Sequence, residues 1–273
     1  MPSRWEVTLA GPADAGIPLA APLAVVSGWL DDPPRRGPQP GAAAAARSGH
    51  ADQARKWTCG PLRALPGAQG VALQVRLLDD SLSGKLQAAT WPGRAVRLGA
   101  HQYQLAERAQ QAGQASWPDL RQWPGTRAWQ VRYVTPVCFR RGNRTSPWPA
   151  PESVARGLAE RWQRLDPATA PPVPGPGAGP VWVSDIEGQS EVQVLTRRIR
   201  HGSQWQLRDE VISGFLGRVR YVCDAGSDTE AADFAALMAF AAYAGAGSHT
   251  TYGFGVVVPE PTWQPRTQQA GRP

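Results

Sequence analysis

The chain shows the same succession of strand and helix patterns twice, and this limits its possible folds more than any other feature. Residues 4–10 read as an opening strand. Residues 17–30 read as a helix whose apolar stripe runs through Leu23, Val26 and Leu30. Residues 56–62 and 70–78 read as strands. Asp79 and Asp80 then supply an acidic first turn to a helix over 81–89. Residues 95–99 and 102–106 close the unit as strands. The pattern restarts at 128–134, where alternation places Trp129, Val131 and Tyr133 on one face. A helix over 151–165 carries the stripe Val154, Leu158, Trp162 and Leu165. Strands over 191–200 and 214–223 follow. A helix over 228–243 aligns Phe234, Leu237, Met238 and Ala241, and 256–258 is a closing strand. Each half is β-α-β-β-α-β, so the expected fold class is α+β, with two tandem ferredoxin-like (RRM-like, βαββαβ) domains.

The expected boundaries are 1–126 for the first domain and 127–260 for the second, which carries a large insertion. Residues 261–273 are rich in Pro, Gln and Arg and read as a disordered tail. Residues 33–41 form a Pro/Gly/Arg loop, 42–48 a short helix, and the Pro/Gly/Ala run 167–180 an extended loop or linker. No residue-level repeat links the halves, so the duplication is one of pattern.

Between the last helix and the last strand lies 245–255, with Gly245, Gly247, Gly253 and Gly255 among eleven residues. Glycine has no Cβ, so this backbone can turn sharply and approach a partner closely. Exposed N–H groups in such a turn suit phosphate oxygens. The order helix, loop, strand is the reverse of the dinucleotide fingerprint, and the Lys-Ser/Thr pair of a P-loop is absent, so a nucleotide cofactor is not the first expectation.

The formal net charge is +7, and 27 of the 29 basic residues are arginine, Lys56 and Lys85 being the lysines. Arginine's planar fork suits phosphate and stacks on bases. A GC-rich genome accounts for much of the Arg/Lys ratio but not for the net charge. Nucleic acid, an anionic membrane and an acidic protein are the candidate partners. No apolar run approaches the roughly 20 residues that span a bilayer. The first residues lack a signal-peptide core. Cys59, Cys138 and Cys223 are odd in number and widely spaced among apolar residues, which points to a reducing cytoplasm without a disulfide framework. No Cys/His spacing suits zinc, the carboxylates form no metal cluster, and no serine or cysteine nucleophile constellation is present. No cofactor and no metal are expected. The twelve tryptophans offer possible stacking platforms, though most tryptophans are core.

Gly214-Phe-Leu-Gly-Arg-Val-Arg-Tyr221, then a helix, then the glycine loop, resembles the CRISPR repeat-specific endoribonucleases, the sixth Cas family within the RAMP superfamily. Val134-Thr-Pro-Val-Cys-Phe139, followed by Pro149-Ala-Pro151 and a helix bearing Arg161 and Trp162, is similar to the opening of that family's second domain. His50, with Lys56-Trp-Thr-Cys-Gly-Pro-Leu62 after it, is similar to a family segment with a histidine, a lysine and an aromatic residue leading into a strand. The resemblance implies an enzyme that cuts CRISPR repeat RNA without metal. The RNA's own 2′-hydroxyl attacks the adjacent phosphate, leaving a 2′,3′-cyclic phosphate and a 5′-hydroxyl. Such chemistry needs a base, an acid and cations for the charge on phosphorus.

By this resemblance His50 is the proton-transfer residue and Lys56 the phosphate stabiliser, with Arg55 beside it. From the residues alone, His50 is a solvated loop histidine and Lys56 and Arg55 a solvated strand edge. Some family members add a tyrosine from the first helix; residues 17–30 contain none, which leaves the base open. His249 either contacts RNA or caps its own loop, and His101 and His201 read as ordinary surface residues. The RNA surface is expected to include Arg140, Arg141, Arg144, Arg197, Arg198, Arg218 and Arg220, with Gly245, Gly247, Ser248, His249 and Gly253 of the loop. Arg200 sits beside the second of these clusters. Pre-crRNA and crRNA are the implied partners, with effector-complex subunits as further candidates; monomer and homodimer stay open. The competing reading is a non-catalytic RAMP subunit that holds guide RNA in an effector complex. His50 with Lys56 separates the two, because a purely structural subunit has no use for them.

Overall fold

The computed structural model describes residues 1–13, 16–31, 55–65, 70–122, 126–142, 144–175, 179–201 and 204–260. The first sheet is built from β1 (Ser3–Ala10), β2 (Trp57–Ala64), β3 (Gly70–Leu77), β4 (Ala95–Leu98), β5 (His101–Leu105) and β6 (Gln110–Gln114). Its order is β2-β3-β1-β5-β4, with β6 pairing the start of β1. The two helices of this half, α1 (Ala21–Leu30) and α2 (Ser83–Ala89), lie on one face. Alternation explains which face. Trp5, Val7 and Leu9 of β1 and Val71, Leu73, Val75 and Leu77 of β3 are buried in one cluster with Val26, Leu30 and Leu86.

A short helix α3 (Trp117–Arg121) leads to the second sheet: β7 (Ala128–Val137), β10 (Val181–His201), β11 (Gln204–Cys223) and β12 (Val257–Glu260), in the order β10-β11-β7-β12. A small hairpin, β8 (Phe139–Arg141) with β9 (Arg144–Ser146), stands apart. Helices α4 (Pro151–Leu165) and α5 (Asp228–Ala244) complete this half. In both sheets the third strand of the β-α-β-β-α-β unit lies between its second and first strands, and the unit's last element lies on the far side of the first. This is the ferredoxin-like arrangement.

Several expectations need correction. Helix α1 starts at Ala21, later than expected, with Pro22 in its first turn, where proline's missing N–H costs nothing. The second-half strands are far longer than expected: β10 and β11 form one hairpin in continuous antiparallel register from Val181↔Cys223 to His201↔Gln204, apart from one bulge after Val183. Residues 181–190 and 204–213, outside the expected strands, are therefore strand. β6, β8, β9 and α3 were not expected. Helix α5 has no single buried face: Ala231, Phe234, Ala235, Ala236, Leu237, Met238, Ala239, Phe240 and Ala241 are all buried. It is sandwiched. Phe234 packs on Trp129 and Tyr221 of its own sheet. At its other end, Tyr243 receives the Arg4 guanidinium of the first sheet, 5.5 Å from the ring centroid. An alanine-rich helix, narrow and apolar all round, suits that position. The short helix expected over 42–48 and the tail over 261–273 lie outside the described residues.

Candidate functional site at the seam between the sheets

Four chain segments converge where the first sheet meets the end of α5. The Arg161 side chain, on α4, is buried. It donates to the Ala244 carbonyl at 3.0 Å, to Thr250 Oγ1 at 2.8 Å and to the Arg55 carbonyl at 3.1 Å. One guanidinium thus joins α4, the end of α5, the glycine loop and the residue just before Lys56. Rigid multi-donor geometry is what arginine supplies and lysine does not. Two further bonds cross the same seam: the Cys59 thiol donates to the Thr251 carbonyl at 2.9 Å, and Thr58 Oγ1 donates to the Tyr243 carbonyl at 3.4 Å. The family-like motif gave no hint of this task for Arg161.

Arg55 is half-buried at the rim. Its guanidinium pairs with Asp31 at 3.3 Å, lies 5.2 Å from the Trp57 ring centroid and reaches Thr251 Oγ1 at 3.4 Å. Trp57 Nε1 donates to the same Asp31 at 2.8 Å. Lys56 points the other way. Its side chain is 57% exposed and its ammonium donates to Asp79 Oδ2 at 2.6 Å. The Lys56 bond holds the Asp79 carboxyl down at about 2 against the opposing effect of burial, and the Ser81 N–H adds a smaller pull in the same direction. Asp79 also caps the short 3₁₀ turn Asp80–Leu82. Arg55 thus presents a cation at the glycine loop, and Lys56 a second one turned away from it toward Asp79. His50 lies outside the described residues.

The glycine loop itself is not an open cradle. Ser248, His249, Thr250, Thr251 and Phe254 are buried. Its N–H groups serve the protein: Ala246 bonds Gly255 O, Ser248 bonds Cys138 O, Phe254 bonds His249 O and Gly255 bonds Pro136 O. His249 has a left-handed backbone with φ 63°, and its ring stands edge-on to Tyr252 and Phe254 at 5.8 and 5.9 Å. Most of the loop N–H groups are therefore taken up within the protein rather than exposed. The glycines exist for close approach. A Cβ on Gly255, at φ +62°, would lie 1.9 Å from the Ala246 carbonyl oxygen. The Gly-Phe-Leu-Gly string has a similar cause. At Gly217 the β11–β7 register shifts, and a Cβ there would meet Glu187 O at 2.2 Å.

The remaining arginines fall in two places, and no described hydrogen bond or ion pair joins them to Arg55 or Lys56. Arg140 and Arg144 are exposed on the β8–β9 hairpin. Arg218 and Arg220 share a face of β11, opposite Arg132 and Gln130 of β7. Glu260 sits among them, 3.1 Å from Arg218, 3.2 Å from Arg132 and 3.1 Å from Gln130, which offsets part of that positive charge. The side chains of Arg141, Arg197 and Arg198 lie outside the described residues. His101 is half-buried on β5. A cavity of about 390 Å³ opens between Pro18, Leu62, Thr135 and Glu191; its lining holds neither Lys nor Arg, so it is a poor match for a polyanion. Of the tryptophans, Trp5, Trp29, Trp57, Trp129 and Trp162 are core, while Trp91, Trp148 and Trp182 are about half exposed. Among the described residues no group of His, Cys, Asp or Glu is placed to hold a metal. No helix there is long and apolar enough to cross a membrane.

Comparison with known proteins bears on this arrangement. Residues 131–257 match the family described as CRISPR-associated endoribonuclease Cas6. The match runs from β7 through the glycine loop into β12 and so includes Arg161 and the whole second half of the seam. Over this half the chain is similar to Cas6. Its fold follows that of a solved Cas6 (TTHA0078) product complex, TM-score 0.68 and 23% identity, over 95% of this chain and 99% of the other. A Cas6 (TTHB231) product complex gives 0.67 and 22% over 95% and 100%; this is a Thermus thermophilus protein. A Cas6-related protein from Pyrococcus furiosus gives 0.55 and 12% over 95% and 99%. At these identities the likeness carries the fold. A search of characterised proteins by sequence finds no match.

Proposed function

We propose that the chain is a metal-independent endoribonuclease that cuts CRISPR repeat RNA, with the RNA's 2′-hydroxyl as nucleophile and a 2′,3′-cyclic phosphate and a 5′-hydroxyl as products. The observation that carries this reading is that, in a fold like that of Cas6, Arg161 ties the segment bearing Arg55 and Lys56 to the glycine loop. Lys56 is the exposed cation of the pair and meets the phosphate where charge grows on its oxygens; Asp79 yields it to the stronger anion. Arg55, fixed by Asp31 and Trp57, adds a second positive charge. His50 transfers the proton at the 5′-oxygen or the 2′-oxygen, a task suited to imidazole near neutral pH. The solved relatives include product and substrate-mimic complexes, and one relative was also solved as a histidine-to-alanine mutant. Arg140, Arg144, Arg218 and Arg220 extend the phosphate-binding surface.

The test is cleavage of the cognate repeat RNA in EDTA, with the product end identified. One cut per repeat, ending in a cyclic phosphate, is expected. His50→Ala should slow the cut by roughly two or more orders of magnitude and leave RNA affinity intact. Lys56→Ala should cost about 10²-fold in rate. Tight binding of repeat RNA without any cutting would favour the guide-holding subunit instead.

A further inference from the structure

The β10–β11 hairpin, whose inner face packs on the glycine loop, carries a row of exposed apolar side chains on its other face. Val192 is 61% exposed, Val194 58%, Leu207 75% and Val211 66%. Val194 stands directly opposite Val211, and Val192 opposite Ser213, so the valines share one face. The other face already packs inward, with Leu195 and Ile212 buried against Cys138 and Phe254. β10 is also an edge strand: over its 21 residues it pairs, among the described residues, with β11 alone. A long edge with an apolar face is a template for another strand, and proteins normally blunt such edges with scattered charge.

Here the charges are sorted rather than scattered. Asp185, Glu187 and Glu191 occupy the first half of β10, while Arg197, Arg198 and Arg200 occupy the second. Antiparallel pairing of this strand with itself brings acidic half to basic half at both ends. RNA fits this face poorly: valine has no hydrogen-bond donor, and the acidic half repels phosphate.

We infer that β10 pairs with β10 of a second copy of this chain about a two-fold axis at Gln193, extending the second sheet across two molecules. In this register Val192 faces Val194 of the second copy, and the reverse, so four valines meet at the centre. Position 185 then stands opposite position 201 of the second copy and position 187 diagonal to 197, an acidic position against a basic stretch at each end. The interface is isologous, as a closed dimer requires. It does not depend on the RNA-cutting reading.

Sedimentation of the full chain should give a dimer at micromolar concentration. Val194→Asp combined with Val211→Lys should give a monomer with an unchanged melting temperature, because both side chains are exposed. Gln193→Cys on the axis should form a covalent dimer under mild oxidation, since paired positions bring Cβ atoms within disulfide range. Cys59, Cys138 and Cys223 are all buried and leave a low background. A parent chain that stays monomeric at about a hundred micromolar overturns the proposal. So does a dimer that ignores the valine substitutions and leaves Gln193→Cys uncrosslinked. A monomer whose position 194, carrying a photoreactive group, crosslinks to repeat RNA reassigns the face to RNA.

Discussion

Two segments meet at the seam and use their polar groups in opposite ways. The loop from Gly245 to Gly255 turns its N–H groups inward, onto Cys138 O, Pro136 O and its own carbonyls. Next to it Lys56 keeps its ammonium at the surface against the Asp79 carboxylate, while Arg55 is half-buried against Asp31, Trp57 and Thr251. The loop is thus architecture: it fixes where α5 ends and β12 begins, and offers Thr250 and Thr251 as anchors. The Lys56 segment is the part with charge to give to a ligand. Polar residues close together in space can divide the work, one group satisfied within the protein and the other held lightly enough to be captured.

The sharpest way to break this contrast is Gly255→Val. The new Cβ would overlap the Ala246 carbonyl, in a left-handed conformation that already costs a β-branched residue about 1–3 kcal/mol. The expected loss exceeds about 4 kcal/mol, seen as a fall in melting temperature of more than about 10 °C or as a failure to fold. Gly247→Val should behave similarly, since its Cβ would lie 2.3 Å from Cys138 O. Melting curves equal to the parent's would show that the loop opens freely, and the description of it as a scaffold would be wrong.

Arg161→Met tests the link between the two segments. It keeps the length of the side chain and removes every donor, leaving the Ala244 and Arg55 carbonyls and Thr250 Oγ1 short of partners in a buried place. The expected cost is about 2–4 kcal/mol by denaturant titration. If Arg161 also positions Lys56, the cleavage rate of the folded fraction drops while RNA affinity is kept, and Arg161→Lys recovers only part of it. A stable variant with parental rate would separate the seam from the chemistry.

The sequence made the two β-α-β-β-α-β units legible because their core strands alternate cleanly, as Trp129, Val131 and Tyr133 do. It concealed the length of the β10–β11 hairpin because that hairpin is mostly solvated. Residues such as Glu187, Gln189 and Ser190 carry no apolar signal, yet their backbone pairs throughout. β6, with the sequence Gln-Gln-Ala-Gly-Gln, carries no apolar signal, and only the free lower part of the β1 edge recruits it. At the site, Lys56 and the glycine loop stood out as residue types, but the tie between the loop and the segment bearing Lys56 runs through Arg161, some hundred residues away in sequence. No local pattern could announce it. His249 shows the reverse: a histidine in a glycine loop suggests a ligand contact, and its ring is buried against Tyr252 and Phe254.

The smallest expected effect concerns the carboxylate that holds Lys56. The Asp79 carboxyl lies at about 2, below its ordinary 3.8, chiefly through the Lys56 hydrogen bond. A depressed folded-state value means that the pair's stabilisation is fully present above 3.8 and is lost as pH falls through about 2. At neutral pH Asp79→Asn should cost less than about 1 kcal/mol, because the pair is largely solvated. Between about pH 4 and 2 the difference between parent and variant melting temperatures should shrink toward zero. The same substitution removes the carboxylate that competes with RNA phosphate for Lys56, so repeat RNA should bind the variant at least as tightly as the parent at equal salt. Weaker binding would mean that Asp79 aims the ammonium rather than merely holding it, and Lys56 would then resemble the glycine loop, a group whose partner inside the protein is part of its function.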